Sequence, residues 1–183
     1  MRIVLVVICL ALTLSTFVWL AGREVEAPAK QVDTEPITMP LIVTAFKPFE
    51  YHVNACGNCH GSYAQQHNKV SLRNMTDDRL TQVVREMTEG QGQSPLDTDE
   101  QLAVLVKYHQ LFRDDLPIVV QNQNDTSGAS GEISPGSTLE LVRADGQKVL
   151  AIVTGHRWSA AAGEYVKWVA TLNDKRVVFE ASK

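Results

Sequence analysis

The hydrophobic positions fall into three textures along the chain. From Ile3 to Gly22, after Met1 and Arg2, the sequence is uncharged and almost wholly apolar. A helix of that length spans about 30 Å, the thickness of a bilayer's hydrocarbon layer. The apolar core of a secretory signal is shorter, about 7–15 residues. No small-x-small cleavage site closes the run: Trp19 stands two residues before Ala21, and Val25-Glu26-Ala27 lies beyond charged Arg23 and Glu24. Segment 1–23 is therefore expected to be a transmembrane anchor or a cleaved signal helix, and either one exports the rest of the chain. Trp19 suits the outer interface of an anchor.

Residues 24–40, with Ala27, Pro28, Pro36 and Pro40, read as an extended linker. A helical texture follows over 41–116. Thr76 is a good N-cap, with Asp77 and Asp78 in the electropositive first turn. Leu80, Val83, Val84 and Met87 then recur on one face, and Gly90 ends the helix. A second helix has Thr98 as N-cap and Gln101 three residues on, a capping-box pattern. Leu102, Leu105, Val106 and Phe112 share its buried side, Tyr108 and Leu111 flank it, and Pro117 lies past its end. Residues 117–136 are rich in Asn, Ser, Gly and Asp and read as a second linker. From 137 to 183 the texture is strands. Leu139–Val142 and Val149–Val153 flank Asp145-Gly146, and Tyr165–Thr171 and Arg176–Glu180 flank Asn173-Asp174, so two hairpins are predicted. The expected order is helical domain, linker, small all-β domain.

Composition narrows the partners. Of 183 residues, 44% are hydrophobic and 21% charged, which is a folding composition. The net charge of −4 lies in residues 28–115, where 12 acidic residues face 8 basic ones. No basic stripe exists to neutralise phosphates, so nucleic acid is not an expected partner. Of the three cysteines, Cys9 sits in the apolar run as a small filler. Cys56 and Cys59 remain, in Cys56-Gly57-Asn58-Cys59-His60.

Two thiols two residues apart can bond the two vinyl groups of one haem, and the histidine that follows is then placed to ligate its iron. A thioredoxin-like pair would need a βαβ frame that this pattern lacks. A zinc site would need a second Cys pair, and a structural disulfide would leave His60 unexplained. The motif predicts one covalently bound haem c, held by Cys56 and Cys59, with His60 as proximal iron ligand.

With this motif the chain resembles the class I cytochrome c family over about residues 45–113. Gly61 follows His60, Phe49 and Tyr51 stand where the family packs aromatics before the motif, and Gly90 to Pro95 followed by Gln101 to Tyr108 is similar to its last loop and C-terminal helix. The resemblance implies a mainly α cytochrome c domain and single-electron transfer between larger redox partners. Two positions depart from it. Pro48 interrupts the place of the family's first helix, and Ser94 stands where the family presents a distal Met; residues 88–98 contain no Met.

Met87, at the end of its helix's apolar face and beside the loop, is the expected distal ligand. Met75, His52, His67, His109 and His156 are the other candidates, and an open or water-bound site is the remaining alternative. The expected protein is an exported monohaem c-type cytochrome on the periplasmic side of the inner membrane, an electron carrier rather than an enzyme. Its partner would be a redox protein with a basic docking surface. A haem-based sensor with an open distal site, or a haem subunit of a larger redox enzyme, are the alternatives. Residues 117–183 offer no convergent catalytic groups: no Cys, and His156 as their one His. An anchor predicts that the intact mass of the mature protein includes residues 1–23; a chain starting near residues 22–28 would show a removed signal.

Overall fold

The computed structural model describes residues 35–63, 72–90, 95–123 and 128–181. The apolar run Ile3–Gly22, Cys9, His67 and Ser94 lie outside the described residues. Among those described, no helix is long and apolar enough to cross a membrane.

Both predicted helices form, and their ends follow from local chemistry. We number the helices from the motif: α1 (Pro48–Tyr51), a π-helical turn (His52–Cys56), α2 (Gly57–His60), α3 (Asp77–Thr88) and α4 (Asp99–Asp114). Thr76 Oγ1 accepts the Arg79 N–H at 3.3 Å, and Thr98 Oγ1 accepts the Gln101 N–H at 3.2 Å. The Gln101 side chain reaches back to the Asp97 N–H at 2.8 Å, one residue before the cap. The buried stripe of α3 is Leu80, Val84 and Thr88, whereas Met87 is 39% exposed. Helix α4 buries Leu102, Leu105, Val106, Tyr108, His109 and Leu111, so Tyr108 and Leu111 lie inside rather than on the flank. Pro48 opens α1 instead of interrupting a helix: its fixed φ and missing N–H cost nothing in a first turn.

The strands overturn the expected fold class. The protein is mixed α/β, with two five-stranded sheets, and not a mainly α cytochrome c domain followed by a separate small β domain. The strands are β1 (Ile37–Pro40), β2 (Ile42–Thr44), β3 (Val119–Asn122), β4 (Ala129–Ile133), β5 (Thr138–Arg143), β6 (Lys148–Leu150), β7 (Ile152–Thr154), β8 (Arg157–Ala160), β9 (Tyr165–Leu172) and β10 (Lys175–Glu180). One sheet runs β1-β10-β9-β5-β6 and the other β2-β3-β4-β8-β7. Residues 117–136, expected to be a linker, hold the whole of β3 and β4, and residues 37–40, assigned to the first linker, are β1. The cause is pairing across the whole chain. β1 pairs in parallel with β10, and β2 in parallel with β3. Three- or four-residue strands with distant partners leave no local period to read.

Single residues carry the chain from one sheet to the other. Leu41 joins β1 to β2 at one edge, and Ala151 joins β6 to β7 at the other. The predicted strand 149–153 is broken at this second crossing. Both predicted hairpins are present. Gly146 turns the first at φ +83°, while Asn173 and Asp174 turn the second at φ +49° and +63°, the two positive values a two-residue primed turn needs.

Two cores result, and residues 36–183 form one compact unit. Leu41, Val119, Leu141, Trp158, Trp168 and Phe179 are among the side chains that fill the space between the sheets. Phe49, Leu80, Leu105 and Tyr108 anchor the helical core, which also takes Ile118 and Val120. Successive side chains of a strand face opposite ways, so β3 sends Val119 into one core and Val120 into the other, both with no exposure.

Gly131 in β4 makes this wall possible. It pairs with Gln121 of β3 and with Trp158 of β8, and the Trp158 indole N–H crosses it to donate to the Val120 carbonyl at 3.1 Å. A Cβ at Gly131 would collide with that carbonyl oxygen and with the indole. Backbone in a sheet between two cores cannot yield cheaply, so Gly131→Ala should cost about 2 kcal/mol or more. Thermal or urea denaturation checks this, and a midpoint equal to the parent's would refute the packing account.

Candidate functional site

The segment that carries the CxxCH motif is built from outside itself. Lys47, the residue at the N-cap position of α1, makes no side-chain capping bond. The cap comes instead from Glu132 on β4: its Oε2 accepts the Phe49 N–H and its Oε1 the Glu50 N–H, each at 3.1 Å. These are orphan donors of a helix start, where the backbone favours a negative group. Glu132 is 2% exposed. Burial pushes its carboxyl up to about 7 although both N–H bonds pull it down. His156 stands beside it, Nε2 to Oε1 3.5 Å, with burial and then Arg157 lowering its own pKa. The His156 ring stacks on Phe49 with centroids 6.1 Å apart, and its Nδ1 meets the Tyr63 hydroxyl at 3.3 Å.

Phe49 is fully buried, edge-on to Tyr108 of α4 with centroids 4.6 Å apart. His52 is also fully buried, 4.8 Å from Tyr108 between centroids, and its Nε2 donates to the Gly61 carbonyl at 3.3 Å. Gly61 ends α2 at φ +77°, where a side chain would be strained, and its N–H closes back on the Gly57 carbonyl at 2.8 Å. The π-helical turn places Cys56 at its last position, directly ahead of α2 with Cys59 and His60.

Cys56, Cys59 and His60 line one cavity of about 100 Å³. Val84, Met87 and Thr88 of α3 and Leu105 and His109 of α4 form its other walls. The structure thus brings the motif and Met87 together, and adds His109. Among the described residues, it does not bring the other candidates there. Met75 packs beside the helical core, His52 lies against Tyr108 and Gly61, and His156 stands with Glu132. Glu132 was not singled out from the sequence, because its bonding partners lie 82 and 83 residues away.

The residues fit a covalently held haem by their donor set. The two thiols are unbridged, Cys56 half-buried and Cys59 exposed. Burial, and then the neighbouring Cys59, push the Cys56 thiol up. That is opposite to the depressed thiol of a thioredoxin-type pair. None of the cavity's walls is an acidic or basic chain other than histidine. Its volume is smaller than a porphyrin, so the donors and not the space carry the fit. Among the described residues, no three His, Cys, Asp or Glu groups converge to hold a bare metal ion; haem iron needs only one or two protein ligands, since the macrocycle supplies the rest. The chain matches no protein-family model, no curated protein and no solved structure.

The Glu132 cap has a pH signature. Its folded pKa of about 7 lies above the ordinary 4.5, so the folded state holds the proton more tightly. The stability this adds is fully present below pH about 4.5 and is lost as pH rises through about 7. As pH rises across that window, the parent should therefore lose a few kcal/mol of stability relative to Glu132→Gln. Urea denaturation at several pH values measures it, and a difference independent of pH would refute the assignment.

Proposed function

We propose that this chain is an exported monohaem c-type cytochrome that carries single electrons between redox partners. The observation that supports it best is the convergence of both cysteines and His60 on one cavity with mostly apolar walls. Cys56 and Cys59 would hold the macrocycle: each S–H adds across a vinyl double bond, sulfur to one carbon and hydrogen to the other, with no net oxidation. His60 would hold the iron from the end of α2. A haem bound here supplies a one-electron Fe(III)/Fe(II) couple.

The surroundings suit a carrier. The Glu132 cap ties the attachment segment to β4, and Phe49 and His52 pack it on Tyr108 of α4, which would keep the ligand geometry stiff through oxidation and reduction. Glu86 and Glu89 lie exposed on either side of Met87 and Thr88, and Asp97, Asp99 and Glu100 are exposed at the start of α4. This negative border favours a redox partner with a basic docking surface, in an encounter weakened by salt. The apolar N-terminal run supports export to the periplasmic side of the membrane.

The test is covalent attachment. Chain produced with a c-type maturation system should stain for haem after denaturing electrophoresis, and Cys56→Ala with Cys59→Ala should abolish the stain. A parent chain that never acquires covalent haem, or a double variant that keeps it, would refute the reading.

A further inference from the structure

We propose that His109 is the second axial ligand, so that the iron is held by two imidazoles, His60 and His109; this rests on the haem reading above. His109 and His60 line the same cavity as the two attachment thiols. The ring of His109 is already oriented: its Nδ1 lies 2.9 Å from the Leu105 carbonyl one turn back on α4. A carbonyl oxygen only accepts, so Nδ1 carries the proton and Nε2 carries the lone pair. Histidines that bind metals are commonly held this way, by a hydrogen bond from the other ring nitrogen.

Helix α4 gives this ring a rigid mount. Tyr108, the preceding residue, packs on Phe49 and His52 of the attachment segment. His109 itself is 7% exposed, so its ring is held inside the packed wall of the cavity. Met87 shares the cavity but is 39% exposed, on the last turn of α3. A thioether there has the reach but not the hydrogen bond that would fix its direction. A second imidazole in place of a thioether lowers the reduction potential, and it closes the iron to small gases.

The experiment uses the full chain loaded with covalent haem. The oxidised parent is expected to be low-spin, without the far-red charge-transfer band of a Met–iron bond, and to show a bis-imidazole near-infrared magnetic circular dichroism band. Met87→Ala should leave both spectra unchanged. His109→Ala should lose the low-spin signal completely and bind carbon monoxide when reduced, and added imidazole should restore the low-spin state, which a merely structural role would not allow. Three results would overturn the proposal: a Met–iron band that disappears in Met87→Ala, a His109→Ala protein that stays low-spin, or a parent that is high-spin and binds carbon monoxide readily. If His109→Ala does not fold, the near-infrared band of the parent decides by its presence or absence. A parent that carries no covalent haem removes the haem reading itself, which separates that failure from a wrong ligand.

Discussion

Two backbone N–H groups at the start of α1, those of Phe49 and Glu50, are held by one carboxylate that reaches them from the opposite half of the sequence. The helical stretch they begin is short and contains a π turn. A helix of that length does not persist in water on its own, because the cost of nucleation is spread over too few hydrogen bonds. Glu132 satisfies the donors, and Phe49 buries its ring between Tyr108 and His156. The CxxCH segment is thus formed by its neighbours. Taking Glu132 out of water disfavours its charge, as the raised carboxyl pKa records, and the two N–H bonds offset part of that penalty.

The sheets are the support for this arrangement. β3 and β4 lie beside each other, one providing the wall shared by both cores and the other Glu132. Gly131 leaves the room that lets the Trp158 indole reach the Val120 carbonyl. The strand module and the helices are therefore coupled at atomic distances, and a change inside the sheets is felt at the CxxCH segment through Glu132 and His156. The fold departs from the mainly α domain that the motif's resemblance implies: the CxxCH segment here leans on a sheet as well as on helices.

The cavity takes its character from α3 and α4 together. Leu80 and Val84 of one and Leu105 of the other lie in one core, which fixes where Thr88, Met87 and His109 arrive at the thiols. Within that frame a buried imidazole tied to its own helix and a half-exposed thioether differ in a physical way. The first has one orientation set by a hydrogen bond, and the second keeps its rotamer freedom.

Features governed by neighbours within a few residues were legible in the sequence. Thr76 and Thr98 cap their helices because the acceptor and the N–H it satisfies are three residues apart. Asn173-Asp174 turns its hairpin because both residues tolerate positive φ. The CxxCH spacing marks Cys56, Cys59 and His60 as a candidate site by the identity of three side chains alone. The parallel strands β1 and β2, the conversion of 117–136 into strands, the crossings at Leu41 and Ala151, and the Glu132 cap were not legible. Each depends on surfaces from opposite ends of the chain that become complementary only once both have folded, and a strand of three or four residues carries too little period to announce its partner. The place of His109 belongs to the same group: helical periodicity puts it on a partly inward face, but only the packing of α4 against α1 and α3 turns that face toward Cys56, Cys59 and His60.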